Sequence, residues 1–179
     1  MGLLFLVGYA GSGKSSLGRR LAHRLGYAFV DTDKRVEESV GASIADIFYY
    51  EGEAYFRQAE RDTLQSIIAE DASRGLVVAT GGGMPVWQDN MEWMNRHGVT
   101  IYLKRPAEQI ISRLTDYGRE KRPMFRGKSD EELRVFMTEQ MAEREPHYAM
   151  AQIMVDCSSM SDADVVEYIV TKIDSKADE

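Results

Sequence analysis

An eight-residue stretch, Gly8-Tyr9-Ala10-Gly11-Ser12-Gly13-Lys14-Ser15, leaves this chain few architectures to choose from. It fits G-x-x-x-x-G-K-[ST] at every specified position. The apolar run Leu3–Val7 leads in as a buried strand. Lys14–Leu25 leads out as a helix, with Leu17, Leu21 and Leu25 on one face. Glycines in such a loop let the backbone wrap closely round phosphate oxygens, where a Cβ would clash or forbid the dihedrals. Successive N–H groups from Gly11, Ser12, Gly13, Lys14, Ser15 and Ser16 then form an anion nest at the helix N-terminus. Lys14 brings a mobile positive charge to the β- and γ-phosphates, and Ser15 offers a hydroxyl to Mg²⁺. The motif names a nucleotide as ligand and leaves the reaction open.

Beyond the loop, short apolar runs alternate with amphipathic segments, the pattern of an α/β domain with a mostly parallel sheet. Strands are expected at Ala28–Val30, Leu76–Ala79, Val99–Leu103 and Ile153–Val155. Helices are expected at Ser43–Tyr50, Glu53–Asp71, Gln88–His97, Ala107–Leu114, Ser129–Arg144 and Ser161–Ile173. Ser43 with Asp46, and Ser129 with Glu132, carry the spacing of capping boxes. The tail from Lys172 to Glu179 is expected to fray. Thr115–Lys128 has no period and reads as a long loop, a lid or binding loop by its length. At 179 residues the chain is expected to be one domain, 1–179.

The net charge of −7 argues against a general nucleic-acid binder. Arg113, Arg119, Lys121, Arg122, Arg126 and Lys128 face only Asp116 and Glu120, so the lid region is locally basic. The lone cysteine, Cys157, permits no internal disulfide and reads as a packed thiol. No zinc-ligand spacing, signal peptide or membrane-length apolar run is present in the sequence. A reducing cytoplasm is the expected location, with neither nucleic acid nor membrane as partner. Trp87, Trp93, Met91 and Met94 read as packing residues, and His97 before Gly98 as a helix end. Tyr49-Tyr50 is expected to close a helix on the substrate side.

Asp31-Thr32-Asp33 follows the second strand, at the sheet edge that faces the ligand crevice. In extended chain both carboxylates point to one face. Asp31 would then hold Mg²⁺ through water, and Asp33 would orient an accepting hydroxyl and take its proton. Alternatively, Asp33 caps a helix Lys34–Val40.

At these residues the chain resembles the shikimate kinase family, nearly end to end. The resemblance is carried by Gly8–Ser15, the Asp31/Asp33 pair, and Gly52-Glu53-Ala54-Tyr55-Phe56-Arg57 with Glu60. It continues through Thr80-Gly81-Gly82-Gly83, Arg113, Arg122-Pro123 and Glu143-Arg144-Glu145-Pro146-His147-Tyr148. It implies a P-loop three-layer sandwich with five parallel strands in order 2-3-1-4-5, helices on both faces and a mobile lid at about 115–128. It implies a substrate-binding helical segment at about 33–62, Mg²⁺ as cofactor, ATP and shikimate as substrates, and a monomer. By position, Arg57 and Arg144 bind the substrate carboxylate, and Asp33 binds ring hydroxyls and acts as base. Gly81, Gly82 and Gly83 bring backbone amides to the substrate. Arg122 closes over the transferring phosphate and Arg113 lies against the adenine. Catalytic roles fall on Asp33, Lys14 and Arg122, and metal contacts on Ser15 and Asp31.

Residue chemistry supports these roles independently. Arginine's planar fork fits a carboxylate as lysine cannot. Glu60, three beyond Arg57 on one helix face, is placed to hold it. Three glycines after a buried strand weaken the chain entropically, and close approach of a ligand explains them. Met124 and Phe125 stand where the family has aliphatic residues. The rival readings are another small-acceptor kinase, such as one for gluconate or a nucleoside monophosphate, and a non-catalytic ATP-binding switch. The set Asp33, Arg57, Arg144 and Gly81–Gly83 argues against the first, and the intact set Lys14, Ser15, Asp31, Asp33 and Arg122 against the second.

Overall fold

The computed structural model describes residues 2–69, 74–120 and 122–177. Five parallel strands form one sheet: β1 (Leu3–Val7), β2 (Ala28–Asp31), β3 (Leu76–Ala79), β4 (Val99–Lys104) and β5 (Ile153–Asp156). Their order is β2-β3-β1-β4-β5. β1 is paired on both sides, with Phe5 opposite Val78 of β3 and Thr100 of β4. All five residues of β1 are buried. Along it the side chains alternate: Leu3, Phe5 and Val7 enter one core cluster, Leu4 and Leu6 the other.

Those two clusters define the layers. Helix α1 (Lys14–Leu25) and helix α9 (Asp162–Ala177) cover the Leu4/Leu6 face through Leu17, Leu21, Val165 and Ile169. The Leu3/Phe5 face is covered by α4 (Gly52–Ala69), α5 (Asn90–His97), α6 (Ala107–Arg113) and α8 (Asp130–Tyr148), through Leu64, Met91, Ile110 and Met137. This is the three-layer P-loop sandwich in the expected strand order. A small third cluster, Val36, Ile47 and Phe56, joins α2 (Thr32–Val40), α3 (Ile44–Tyr50) and α4.

Several local expectations hold. Ser43 caps α3 by accepting from the Asp46 N–H at 3.1 Å, and Ser129 with Glu132 completes a capping box on α8. The His97 ring meets the Trp93 carbonyl at 2.7 Å, at the end of α5. Cys157 is buried.

Others need correction. Asp33 does not cap α2; Asp31 does, accepting from the Asp33 N–H at 3.2 Å. The helix therefore starts at Thr32, and the two aspartates are not side by side on extended chain. Residues 115–128 are not irregular: they hold helix α7 (Asp116–Glu120) and a 3-10 turn, Pro123–Phe125. Thr115 Oγ1 starts α7 by accepting from the Gly118 N–H, and buried Phe125 anchors the turn in the core. Helix α8 runs on to Tyr148 through Pro146, because buried Tyr148 packs against Tyr102 with ring centroids 5.3 Å apart. Tyr49 and Tyr50 stack edge-on to each other on α3, both exposed. The expected end of α4 at Asp71, lid residue Lys121 and the last two residues of the tail lie outside the described residues. Among the described residues, no helix is long and apolar enough to cross a membrane.

Candidate active site

The glycine loop takes the backbone shape its sequence demands. Gly8, Gly11 and Gly13 have φ of 141°, 83° and 103°, in the region that side chains rarely adopt. A Cβ on Gly8 would also lie 2.8 Å from the Leu103 carbonyl. Gly13 is the N-cap of α1, so the loop ends on a helix N-terminus. Ser12 Oγ is buried in this cradle without a hydrogen-bond partner. Such a hydroxyl suits an incoming phosphate oxygen.

Lys14 is buried and donates to the Gly8 and Tyr9 carbonyls, each at 2.8 Å. Burial lowers its pKa to about 8, with Asp33 opposing. Beside it, Ser15 Oγ donates to Asp31 Oδ2 at 2.6 Å. The hydroxyl and the carboxylate proposed for a metal are thus adjacent.

Asp33 sits deep in the same crevice. Burial raises its pKa to about 6, Asp31 adds to the rise, and Lys14 opposes it. A cavity of about 360 Å³ is lined by Gly11, Gly13, Lys14, Ser15, Ser16, Asp31, Asp33, Gly82, Arg113 and Arg122, among others. Arg122 is the lid cation on this wall. Its Nη1 donates to the Gly118 carbonyl at 2.7 Å, and its field reaches Asp33 and Lys14. Arg119 is turned instead to Asp130, and Arg126 to Glu120. Arg113 lines the cavity together with Ile110 and Leu114.

Arg57, Gly81, Gly83 and Arg144 gather next to this cavity. Arg57 Nη1 donates to Glu60 Oε2 at 2.6 Å, and Glu53 takes its Nη2 at 3.1 Å. Glu60 is buried, which pushes its pKa up while Arg57 opposes. A Cβ on Gly81 would lie 2.6 Å from Asp33 Oδ1 and 2.8 Å from Glu60 Oε1; one on Gly83 would lie 2.6 Å from Arg57 Nη2. The glycines are what let Asp33, Glu60 and Arg57 crowd against this backbone. Arg144 completes the group from α8. Its guanidinium carbon is 5.5 Å from the Tyr9 ring centre, and its charge acts on Glu60, Tyr148 and Lys14.

Three supporting contacts were not read from the sequence, although Tyr148, Thr32 and Tyr9 stand in its motifs. Tyr148 Oη donates to the Gly82 carbonyl at 2.6 Å. Thr32 Oγ1 accepts from the Gly81 N–H at 2.9 Å. Tyr9 Oη donates to Gln140 at 2.8 Å. Tyr148 and Gly82 are 66 residues apart, so no local pattern pairs them. A larger hollow of about 490 Å³ lies between α2 and α4, lined by Arg35, Tyr55 and Asp62. It is away from the glycine loop.

Comparison with known proteins points to one family. The family model for shikimate kinase matches residues 10–174. A shikimate kinase of Parabacteroides distasonis is 40% identical over 158 residues, covering 88% of each chain. One of Azobacteroides pseudotrichonymphae is 38% identical, over 95% of this chain and 98% of the relative. Among solved structures, the shikimate kinase of Bacteroides thetaiotaomicron superposes with a TM-score of 0.84 at 33% identity, covering 99% of this chain and 98% of its own. The Acinetobacter baumannii enzyme in complex with shikimate superposes equally well, at 31% identity over 98% of this chain and 94% of its own.

Proposed function

The chain belongs to the shikimate kinase family, and from that premise we propose how its residues phosphorylate shikimate at the 3-hydroxyl with Mg-ATP. The activity is that of an ATP-dependent kinase acting on shikimate. One observation carries the assignment of roles: Asp33, Arg57 and Glu60 crowd against Gly81–Gly83 beside the cradle that holds Lys14. Arg144 approaches from the opposite helix.

ATP lies with its phosphates in the loop, on the N–H groups of residues 11–16 and the Lys14 ammonium. Lys14 exchanges its carbonyl partners for phosphate oxygens. Arg113 meets the base end. The Ser15 hydroxyl beside the Asp31 carboxylate suits Mg²⁺, directly through the hydroxyl and through water at the carboxylate. When bound, Mg²⁺ neutralises charge on the β- and γ-phosphates.

Shikimate enters with its carboxylate between Arg57 and Arg144. Glu60 and Glu53 keep the Arg57 fork oriented, so less freedom is lost on binding. The ring hydroxyls meet Asp33 and the amides of Gly81–Gly83. Asp33 accepts the proton of the attacking hydroxyl as its oxygen closes on the γ-phosphorus, and the bond to the β–γ bridging oxygen breaks. Lys14 and Arg122 hold the charge that develops on the transferring group. Residues 115–128 act as the lid that excludes water, the competing acceptor. Residues 33–62 form the acceptor segment of a single domain. The net charge of −7 and the lone free thiol fit a cytoplasmic protein with neither nucleic acid nor membrane as partner, and we propose that it acts as a monomer.

ADP release measured against shikimate, gluconate and nucleoside monophosphates tests the acceptor. Shikimate alone is expected to give rapid turnover. Equal turnover with gluconate would overturn the carboxylate-and-ring assignment of Arg57, Arg144 and Asp33.

A further inference from the structure

We propose that Asp162 is a positioning residue for the nucleotide: it holds the Arg113 guanidinium in place at the base end of the ATP cavity. The inference rests on the reading above that Arg113 meets the base. Arg113 Nη2 donates to both oxygens of Asp162, at 3.1 Å and 3.0 Å. Arg113 ends α6 and its side chain is 44% exposed, whereas Asp162 opens α9 and is 19% exposed. An arginine this exposed samples many rotamers. Laying it against a ligand costs conformational entropy unless a partner has already fixed it. Asp162 is that partner.

The same carboxylate reaches behind the phosphate loop. Its Oδ1 lies 3.7 Å from Arg105 Nη2, and its Oδ2 4.0 Å from Arg20 Nη1. Arg105 is only 4% exposed. Its Nε donates to the Ser12 carbonyl of the glycine loop at 3.3 Å, and its buried Nη2 has no hydrogen-bond partner. Three guanidiniums thus surround one carboxylate. Without it, mutual repulsion would drive the two exposed members, Arg20 and Arg113, toward solvent, and so take Arg113 away from the cavity wall. The first turn of α9 is also a favourable place for a negative charge.

Asp162→Asn keeps the size and removes the charge. It is expected to raise KM for ATP about tenfold, with kcat changed by less than about twofold. KM for shikimate should stay unchanged. Arg113→Ala should raise KM for ATP at least as much, and the double variant should be no worse than Arg113→Ala alone. Inhibition by inorganic triphosphate, which fills the phosphate cradle but has no base, should be unchanged in Asp162→Asn.

If Arg113→Ala leaves KM for ATP unchanged, the base-end reading of Arg113 fails. If Arg113→Ala weakens ATP and Asp162→Asn does not, the positioning role is overturned. Equal losses for ATP and triphosphate would also overturn it, since Asp162 would then act through Arg105 and the loop. Should Asp162→Asn not fold, Asp162→Ser decides. It also removes the charge, with less bulk beside buried Arg105, and normal ATP affinity there would end the proposal.

Discussion

Ser15 Oγ and Asp31 Oδ2 are 2.6 Å apart, a bond that joins the first turn of α1 to the N-cap of α2. The donor and the carboxylate belong to different strand-to-helix turns, so the proposed metal contacts depend on β1 and β2 being correctly placed on either side of β3. Ser15→Ala removes the hydroxyl and leaves the fold. The Mg²⁺ concentration for half-maximal activity should rise at least about fivefold. A titration of rate against Mg²⁺ at fixed ATP checks this, and an unmoved midpoint would take Ser15 out of the metal contacts.

Asp33 sets a pH dependence with a definite sign. Its carboxyl is lifted to about 6, chiefly by burial, and it accepts a proton only when ionised. kcat/KM should therefore rise with pH through about 6 and fall away below it. Asp33→Asn should lower kcat by about 10²–10⁴-fold and remove that acid limb, with ATP binding retained. A pH profile of the variant that kept the limb would assign it to another group.

We propose Arg57 as the acceptor anchor. Arg57→Ala should weaken shikimate binding by roughly 2–5 kcal/mol, the range for truncating one member of a desolvated charge pair. It also leaves buried Glu60 without its 2.6 Å partner, so thermal unfolding should be compared. Initial rates across shikimate concentrations separate KM from kcat, and an unchanged KM would dismiss the clamp.

Gly83→Ala tests the same site from the backbone side. Its methyl would stand 2.6 Å from Arg57 Nη2, so the guanidinium must shift. KM for shikimate should rise about tenfold while KM for ATP stays put. Equal damage to both constants would point to a collapsed loop instead.

Arg122 faces Asp33 and Lys14 across the cavity. Arg122→Ala should lower kcat by about 10²–10³-fold, the scale for losing one donor to developing charge. Both Michaelis constants should change little. Single-turnover measurement would separate this from slowed product release.

Much of this was legible in the sequence where the signal is local. The bounds of β1, α1 and β3 follow directly from apolar periodicity and glycine punctuation. Arg57 and Glu60 meet because three residues on a helix bring side chains to one face. Legibility fails where tertiary contacts decide. From the sequence Asp33 is the candidate cap, but β2 pairs with β3 out to Asp31, and Asp31 caps α2 instead. Pro146 signals a stop, yet buried Tyr148 carries α8 through it. Residues 115–128 look irregular by composition, yet Thr115 at the start of α7 and Phe125 anchored in the core give them a fixed shape.

The small cluster of Val36, Ile47 and Phe56 is packed apart from both main cores. The helices that carry Asp33 and Arg57 therefore form a cassette with its own apolar hub. Exchanging α2, α3 and the first turns of α4 for those of a relative with a different acceptor, with Leu64 and Ile67 kept in the main core, is expected to leave the sheet and the nucleotide cradle intact. The acceptor side of this architecture is thus open to modular redesign in that stretch.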